Sequence, residues 1–554
     1  MKSKKILSVL LTAKMVSGVM MGCGNKADDS KAAAKKMDKT PITFTLFSAD
    51  LTEDMDFTDD VAKEITKQTG VTLKFMHSVG GDTQAIPLMI ASGDYPDLIF
   101  AKENTAKLID AGALVNMKDY IDKEGSNLKK LYGDQLKRLK NSKDDDSIYT
   151  VGTYGVHAAE WGNAGEFSVR HDVLKEAGYP QIKTLDDYEK VIKDYVAKHP
   201  TTNGKKTLGL TLMASDSTWL ITVGDPGSQA IGIGGDGQWK VDEKAKKATY
   251  KFTLPEMKTY FKWLNKMNSE GLIDPDSFTQ KKDAYLAKIT AGQAAGIIDC
   301  DWDYNDAKTS LVGSGKADKT FARLPVVLDN NTKDAINMDY GFGGSFGIGI
   351  TTKCKDKERA FQFLDWMASD EAQVLINWGI KGKHYEEKNG VRTCLPEVQK
   401  QKNTDKDFSK KTGVGKYVYP FPERGDGAKD SKGMYYTCNT PETYSANYND
   451  GEKETLKAYG KKLWSDFCTK RSDLPVSNHG QAWQYTIASD SDLAIIQKKA
   501  DDYTQKAITN AILGKPEDFD KAWDVIQQKL KDMNIEKANS EMSKLVAEKL
   551  EMWK

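Results

Sequence analysis

The chain has 554 residues, 39 % of them apolar and 29 % charged, and its 80 Lys and Arg balance 80 Asp and Glu. That apolar fraction with zero net charge excludes a disordered chain, and 45 Gly and 15 Pro without a fixed period exclude collagen-like and low-complexity architectures. Only seven of the basic residues are Arg, so there is no electrostatic footprint for nucleic acid, and the length calls for more than one domain.

In chain order, Lys2, Lys4 and Lys5 form a positive start and Ile6 to Met21 is mostly apolar. Gly22 then precedes Cys23. This reads as a secretory leader. A small residue directly before Cys is the pattern cleaved by lipoprotein signal peptidase, leaving Cys23 to carry acyl chains such as palmitate. Met20 stands where Leu is usual, and Lys14 interrupts the stretch, which is too short for a good bilayer span. Residues 1–22 therefore read as signal peptide and 23–40, small and polar, as a lipid-anchored flexible tether. No other run is long and apolar enough to span a bilayer.

Thr43 to Phe47 alternates as a strand, Asp59 to Thr69 reads as a helix ending at Gly70, and Val71 to Phe75 as the next strand. A helix over Ile86 to Ala91 and a short apolar strand at Leu98 to Ala101 follow. This alternation predicts a parallel sheet with crossover helices. A second set has helices near Val173–Ala177 and Leu185–Lys198 and a strand at Leu208–Leu212. A hairpin then joins Trp239–Val241 to Ala248–Phe252. Met257, Tyr260, Phe261, Leu264 and Met267 mark one face of a helix, and another near Ala284–Thr290 leads to a strand at Ala295–Ile298. Ile348–Thr351 predicts a strand, Glu358–Ser369 and Glu371–Trp378 helices, and 380–450 mostly loop. At the C-terminus Phe519, Trp523, Ile526 and Leu530, then Met542, Leu545 and Leu550, recur at helix spacing.

Several motif matches fail on context. Gly232, Gly234 and Gly237 fit G-x-G-x-x-G, but a strand pattern follows where a dinucleotide site needs a helix. Gly343, Ser345 and Gly347 fit a nucleophile elbow, but Ile348 to Thr351 is extended. Asp299, Asp301, Asp303 and Asn305 begin like a calcium loop that then lacks Gly at its sixth position (Tyr304) and Glu at its twelfth (Ser310). No two His pair at helical spacing, and the six Cys (23, 300, 354, 394, 438 and 468) form no zinc pattern. A bridge between Cys438 and Cys468 is conceivable, but buried or free thiols are the main reading. Acids are plentiful, so counting alone leaves a two-carboxylate glycosidase open.

The eleven Trp are more informative. Trp263, Trp366, Trp464, Trp523 and Trp553 fall on or beside helical stretches; Trp161, Trp219, Trp239, Trp302, Trp378 and Trp483 fall at loops, turns or element ends. Sugars present apolar C–H faces and hydroxyl rims, so a site for them needs aromatic platforms bordered by polar side chains. Trp302 sits within Asp301-Trp-Asp303-Tyr304-Asn305, Trp161 follows Glu160, Trp219 comes soon after Asp216, and Trp483 lies among Gln481, Gln484 and Tyr485. For any one of them core packing is an equal reading.

The chain resembles extracellular solute-binding proteins of ABC-transporter family 1, and within them the large lipoproteins associated with complex-oligosaccharide uptake. The resemblance rests on Cys23 with its leader, Ala91-Ser-Gly-Asp-Tyr-Pro-Asp97, Arg170-His-Asp-Val-Leu-Lys-Glu-Ala-Gly178, Gly271-Leu-Ile-Asp-Pro275, Glu358-Arg-Ala-Phe361, Asn377-Trp-Gly-Ile-Lys-Gly-Lys-His-Tyr385 and Ile508 to Lys515. It implies an α/β, two-lobed periplasmic-binding-protein-like fold of type II, with discontinuous lobes around a hinge and ligand cleft: 41–157 plus 340–400, and 158–339 plus 401–554. By position it implies sugar platforms at Trp302 with Tyr304, at Trp483 and near Trp219, joined here by Trp161 and Asp303, with hydrogen-bonding acids at Asp50 and Glu103. Related members carry an Asp-rich calcium loop before the strand at Leu208; this chain keeps only Asn203 there, so no metal is expected.

The resulting expectation is a non-catalytic, monomeric lipoprotein on the outer face of a cell membrane, without cofactor or nucleic acid. It would deliver an oligosaccharide to ABC permease subunits. The alternatives are a surface glycosidase or esterase, and a non-sugar binder acting as a sensor. Of the Arg residues only Arg170 and Arg323 lie near candidate segments, which favours a neutral ligand. Loss of the leader lysines leaves the chain from Cys23 at a net charge of −4.

Overall fold

The computed structural model describes residues 38–51, 53–77, 82–152, 159–215, 218–344 and 346–554. The expected leader, Cys23 and nearly all of the tether lie outside the described residues, as do Asp216 and Ser345. Nine strands build two sheets: β1 Ile42–Ser48, β2 Val71–Met76, β3 Leu98–Phe100, β4 Val151–Gly152, β5 Phe167–Arg170, β6 Leu208–Thr211, β7 Ala294–Ile298, β8 Phe321–Leu324 and β9 Gly347–Ile350. The first sheet has the order β2-β1-β3-β9-β4; β2 and β3 run parallel to β1, and β9 runs antiparallel to β3 and β4. The second has the order β8-β5-β7-β6, with β6 parallel to β7 and β5 antiparallel to both β7 and β8.

Both sheets are covered on both faces, which is why β3 and β7 are apolar throughout rather than alternating. On one face of the first sheet Phe44, Leu46, Leu73 and Ile348 pack with Phe361 and Leu364 of helix Lys357–Met367. On the other, Phe47 and Ile99 meet Ile86 and Leu108. In the second sheet Phe167, Val169, Leu210 and Ile298 share a core with Tyr260, Phe261 and Trp263, and with Ile508, Trp523 and Met542 of the C-terminal helices. Ile297 and Phe321 face Tyr285, Tyr304 and Leu311. The molecule is thus a pair of α/β lobes, each with its own sandwiched sheet.

The chain passes between these cores repeatedly. It leaves the first sheet at β4, builds β5 to β8 of the second, and returns to supply β9. Val398, Phe408, Tyr417 and Phe421 still belong to the first core, whereas Tyr448, Leu456 and the buried apolar residues from Ala482 onward belong to the second. Asp59 holds the 416–417 segment in place. Its side chain caps helix Asp60–Thr69 by accepting from the Ala62 amide at 2.9 Å, and it also accepts from the Tyr417 hydroxyl and from Lys416 Nζ at 2.9 Å.

Residues 380–450 are more ordered than their composition suggests. They form a hairpin, Tyr385–Lys388 with Val391–Cys394, and helices Pro396–Thr404, Phe408–Thr412 and Pro441–Asn447. The hairpin turn is Asn389-Gly390, both at positive φ, the sequence that a two-residue turn of this hand demands. The helices escaped the periodicity because they bury so little: Val398 is the one buried residue of Pro396–Thr404.

Replacing Asp59 by Ala removes a cap and two charge-assisted bonds. It should cost about 2–4 kcal/mol of stability, read as a lower urea midpoint at unchanged slope. Asp59→Asn, which keeps an acceptor for the cap, should recover part of the loss.

Candidate ligand cleft

In open α/β sheets the loops after the carboxyl ends of parallel strands are left uncovered. Here those loops are Ala49–Asp50 after β1, Ala101–Asn104 after β3 and Asp299–Asp303 after β7. The first two are tied together: the Ala49 amide donates to the Phe100 carbonyl at 3.0 Å, and Lys102 Nζ pairs with Asp50 at 2.7 Å. In the second lobe Asp299 follows β7 beside Glu166, the residue before β5, with the Asp299 amide on the Glu166 carbonyl at 3.2 Å. Burial, then Asp225, pushes Glu166 up to about 8; burial, then Asp303, pushes Asp299 up to about 7.

Two cavities lie between the lobes. The larger, about 460 Å³, has Phe408 of the first core on one wall and Ala164, Tyr448 and Trp464 of the second on the other. Its polar lining includes Asp301, Asn305, Lys308, Arg323, Lys402, Asn403 and Asn439. Arg323 reaches Asp301 at 2.9 Å and the Gly165 carbonyl at 3.1 Å. Lys308 reaches Glu452 at 3.2 Å, and Lys402 Nζ donates to Cys438 Sγ at 2.9 Å. Trp161 stands in this wall, its indole N–H on the Asn439 carbonyl at 3.3 Å and its ring edge-on to Tyr435 at 6.1 Å. The smaller, about 40 Å³, is lined by Glu103, Arg138, Tyr149 and Phe346 from one side and by Gln484, Tyr485, Lys549 and Trp553 from the other.

A strap over 476–485 joins the lobes beside this smaller cavity. Val476 bridges Asp339, and Trp483 stacks edge-on against Phe346 at 5.2 Å while packing on Gly237. Arg138 donates to the Phe342 carbonyl at 2.6 Å and lies over the Trp553 ring at 4.6 Å. Buried His479 pins the strap: Nδ1 is 2.7 Å from Glu243, Nε2 is 3.0 Å from Asp236, and Ser477 Oγ is 3.0 Å from Nδ1. Burial alone would lower the imidazole; the bonds and charges of Asp236 and Glu243 outweigh it and raise it above the ordinary value.

The sequence-derived candidates divide. Trp161 lines the larger cavity and Glu103 the smaller. Asp50 is exposed and paired to Lys102, and Trp483 is half-buried between the lobes. Trp302 is 60 % exposed in the first turn of helix Asp301–Gly313, whose Asp301 and Asn305 line the larger cavity. Three candidates have no face left for a ligand. Trp219, 3 % exposed, packs on Phe252 and Phe261 with its indole N–H on Thr509. Tyr304, 2 % exposed, packs against Phe321, and Asp303, 4 % exposed, pairs with Lys282 at 3.1 Å. The reason for the last two is helical period: once a helix begins at Asp301, positions 303, 304, 307 and 311 turn inward and 302 turns out. Asn203 sits in a tight turn and donates to the Ala291 carbonyl at 3.0 Å. Lys308, Lys402, Asn403 and Asn439 were not picked out, because nothing in their local sequence separates them from other surface polar residues.

Two sandwiched α/β lobes with cavities between their cores define the class of two-lobed solute-binding proteins. Residues 48–374 match the family described as bacterial extracellular solute-binding protein, and the chain belongs to that family. It is 25 % identical to lipoprotein LipO of Bacillus subtilis (strain 168), over 84 % of this chain and 88 % of that one. It is also 25 % identical to the fructooligosaccharide ABC transporter substrate-binding protein FusA of Streptococcus pneumoniae, over 68 % of this chain and 70 % of that one. The structure of FusA in complex with kestose superposes with a TM-score of 0.67 at 19 % identity, covering 91 % of this chain and 99 % of that one. Alginate-binding protein AlgQ2 without calcium ion superposes at 0.65 and 16 % identity, covering 92 % and 99 %. Among the described residues no helix is long and apolar enough to cross a membrane.

Because His479 is raised in the folded state, its contribution to stability is complete below the unfolded value near 6.5 and is lost as pH rises through the folded value. The wild-type advantage over His479→Gln, measured by urea unfolding, should therefore be larger at pH 6 than at pH 9. An equal advantage at both would show that the imidazole is not held as a cation.

Proposed function

We propose that the protein captures an oligosaccharide between its lobes and presents it to an ABC permease, without chemical change. One observation carries this: the larger cavity sits between two independent cores and combines aromatic rings (Trp161, Tyr444, Trp464) with amide side chains (Asn305, Asn403, Asn439). Aromatic faces suit sugar C–H surfaces and amides suit hydroxyls, as donors and acceptors at once. A ligand touching both walls favours closure, because it binds the closed form better than the open one. The likeness to FusA, an oligosaccharide-binding protein by name, supports the same reading. In this reading the exposed ring of Trp302, next in sequence to the cavity-lining Asp301, serves as a further platform.

The lobe division goes with this reading: a first lobe of 41–157 with the segment from 340, and a second of 158–339 with the C-terminal segment. The last crossing is placed after Phe421 rather than near 400, because Phe408, Tyr417 and Phe421 pack in the first core. The leader pattern ending in Cys23 supports a chain held by lipid on the outer face of a Gram-positive-type cell membrane.

Thermal-shift screening over a glycan panel should reveal the ligand as a rise in melting temperature that grows with its concentration. With that glycan, Trp161→Ala and Trp302→Ala should each weaken calorimetric affinity about tenfold or more, the scale of a lost stacking platform, without altering the melting temperature of the free protein. Trp219→Ala should instead lower stability by about 3–5 kcal/mol, as for a large core residue. Release of smaller sugars from the incubated glycan would replace capture by hydrolysis.

A further inference from the structure

We propose that the larger cavity is built for an anionic oligosaccharide, one whose sugar rings carry carboxylate or sulfate groups; this rests on the capture reading above and names its substrate class. Five cations line the cavity, Lys308, Arg323, Lys402, Lys406 and Lys453, against three carboxylates, Asp301, Asp405 and Glu452. The lining is therefore positive, on a chain whose formal charges cancel.

How those charges are spent decides more than their number. Every lining carboxylate already has a cation: Asp301 has Arg323 at 2.9 Å, Asp405 has Lys411 at 2.6 Å and Glu452 has Lys308 at 3.2 Å. Lys402, Lys406 and Lys453 make no ion pair among the described residues. Lys402 is half-buried, and its one described hydrogen bond goes from Nζ to the Cys438 sulfur, a weak acceptor, at 2.9 Å. Asp426 is near enough to act on Lys402 but makes no ion pair with it; burial raises the Asp426 carboxyl, and Thr437 and Asn439 hydrogen-bond to it. The Lys402 ammonium thus lacks the charge-assisted bond that would offset its loss of water. A carboxylate or sulfate on the ligand supplies that bond.

The unpaired lysines stand on both walls. Lys402 belongs to helix Pro396–Thr404, whose Val398 packs in the first core, and Lys406 lies between that helix and Phe408 of the same core. Lys453 belongs to helix Asp450–Ala458, whose Leu456 packs in the second core. Like charges on facing walls oppose closure of the empty cleft, and an anion held between them replaces repulsion with attraction to both. Such a ligand binds the closed form better than the open one, which is the condition for driving closure. The sequence favours a neutral ligand only when Arg alone is counted. Arg323 is spent on Asp301, and lysine carries the free charge. A uronic or sulfated ring keeps its C–H face, so Trp161 and Tyr444 serve it as they serve a neutral one.

The test titrates the full chain calorimetrically with oligomers of equal length: neutral, uronic-acid and sulfated members of the gluco, manno and galacto series. The uronic or the sulfated member of one series should bind about tenfold or more tighter than its neutral counterpart, and whichever is tighter identifies the anionic group. Its affinity should fall as salt is raised, because salt screens the lysines. Lys402→Met should narrow the preference for the charged member about threefold or more, and Lys402→Arg should keep most of it. If Lys402→Met does not fold, Lys453→Met removes an exposed charge outside the core and should narrow the same preference; the wild-type titrations need no variant. Neutral members binding as tightly as charged ones, or a preference unmoved by salt and by loss of these lysines, would overturn the anionic assignment and leave capture standing. No binding by any member of the set would remove the capture reading itself, and this assignment with it.

Discussion

Both sheets are buried on both faces, and the rest of the molecule follows from that constraint. A sheet covered by helices front and back has only its strand ends to offer a ligand. In the first lobe those ends carry Asp50 and Glu103; in the second they carry Asp299, Asp301 and Trp302. Because each lobe completes its own core, Phe44 and Phe361 in one and Phe167 and Trp523 in the other, the space between them need not be filled with apolar side chains. It is lined instead by polar groups that a ligand can address, and that is what makes the interlobe space a candidate site rather than a core.

The connections between lobes are accordingly polar and specific. Arg138 spans from the Phe342 carbonyl to the Trp553 ring, Lys143 pairs with Glu551 at 3.3 Å, and the Ser489 hydroxyl donates to Asp110 at 2.9 Å. Such contacts are directional, so they define a lobe orientation without the large apolar area that would weld the lobes together. A two-lobed binder needs that balance: an arrangement stable enough to preform the cavity and weak enough to be biased by a ligand contacting both walls.

Six of the nine sheet strands were legible because period two and fully apolar runs are strong local signals, as at Thr43–Phe47 and Ala295–Ile298; Val151–Gly152, Phe167–Arg170 and Phe321–Leu324 were not. The C-terminal helices were legible because Phe519, Trp523, Ile526 and Leu530 repeat at helix spacing. The hairpin at Asn389-Gly390 also had a signal, the turn dipeptide itself, which the polar composition of 380–450 masked. The site was harder. Trp219 and Trp302 look alike in sequence, each near an acid and outside an obvious helical stripe. One is sealed by Phe252 and Phe261, and the other is open to solvent. What separates them is which way the first helical turn faces, and that depends on where a helix starts, the least determinate feature of a local pattern.

By itself, then, the sequence determined the α/β class, six of the nine sheet strands, the leader pattern at Cys23 and the aromatic stock from which a sugar site could be built. These follow from residue type and short-range periodicity, which act within one element. Only the tertiary structure decided that Trp161, Asn305, Lys402 and Asn439 share one cavity while Tyr304 and Asp303 turn away from it. Those residues come from segments hundreds of positions apart, brought together where the chain crosses between two cores, and no local rule carries that distance.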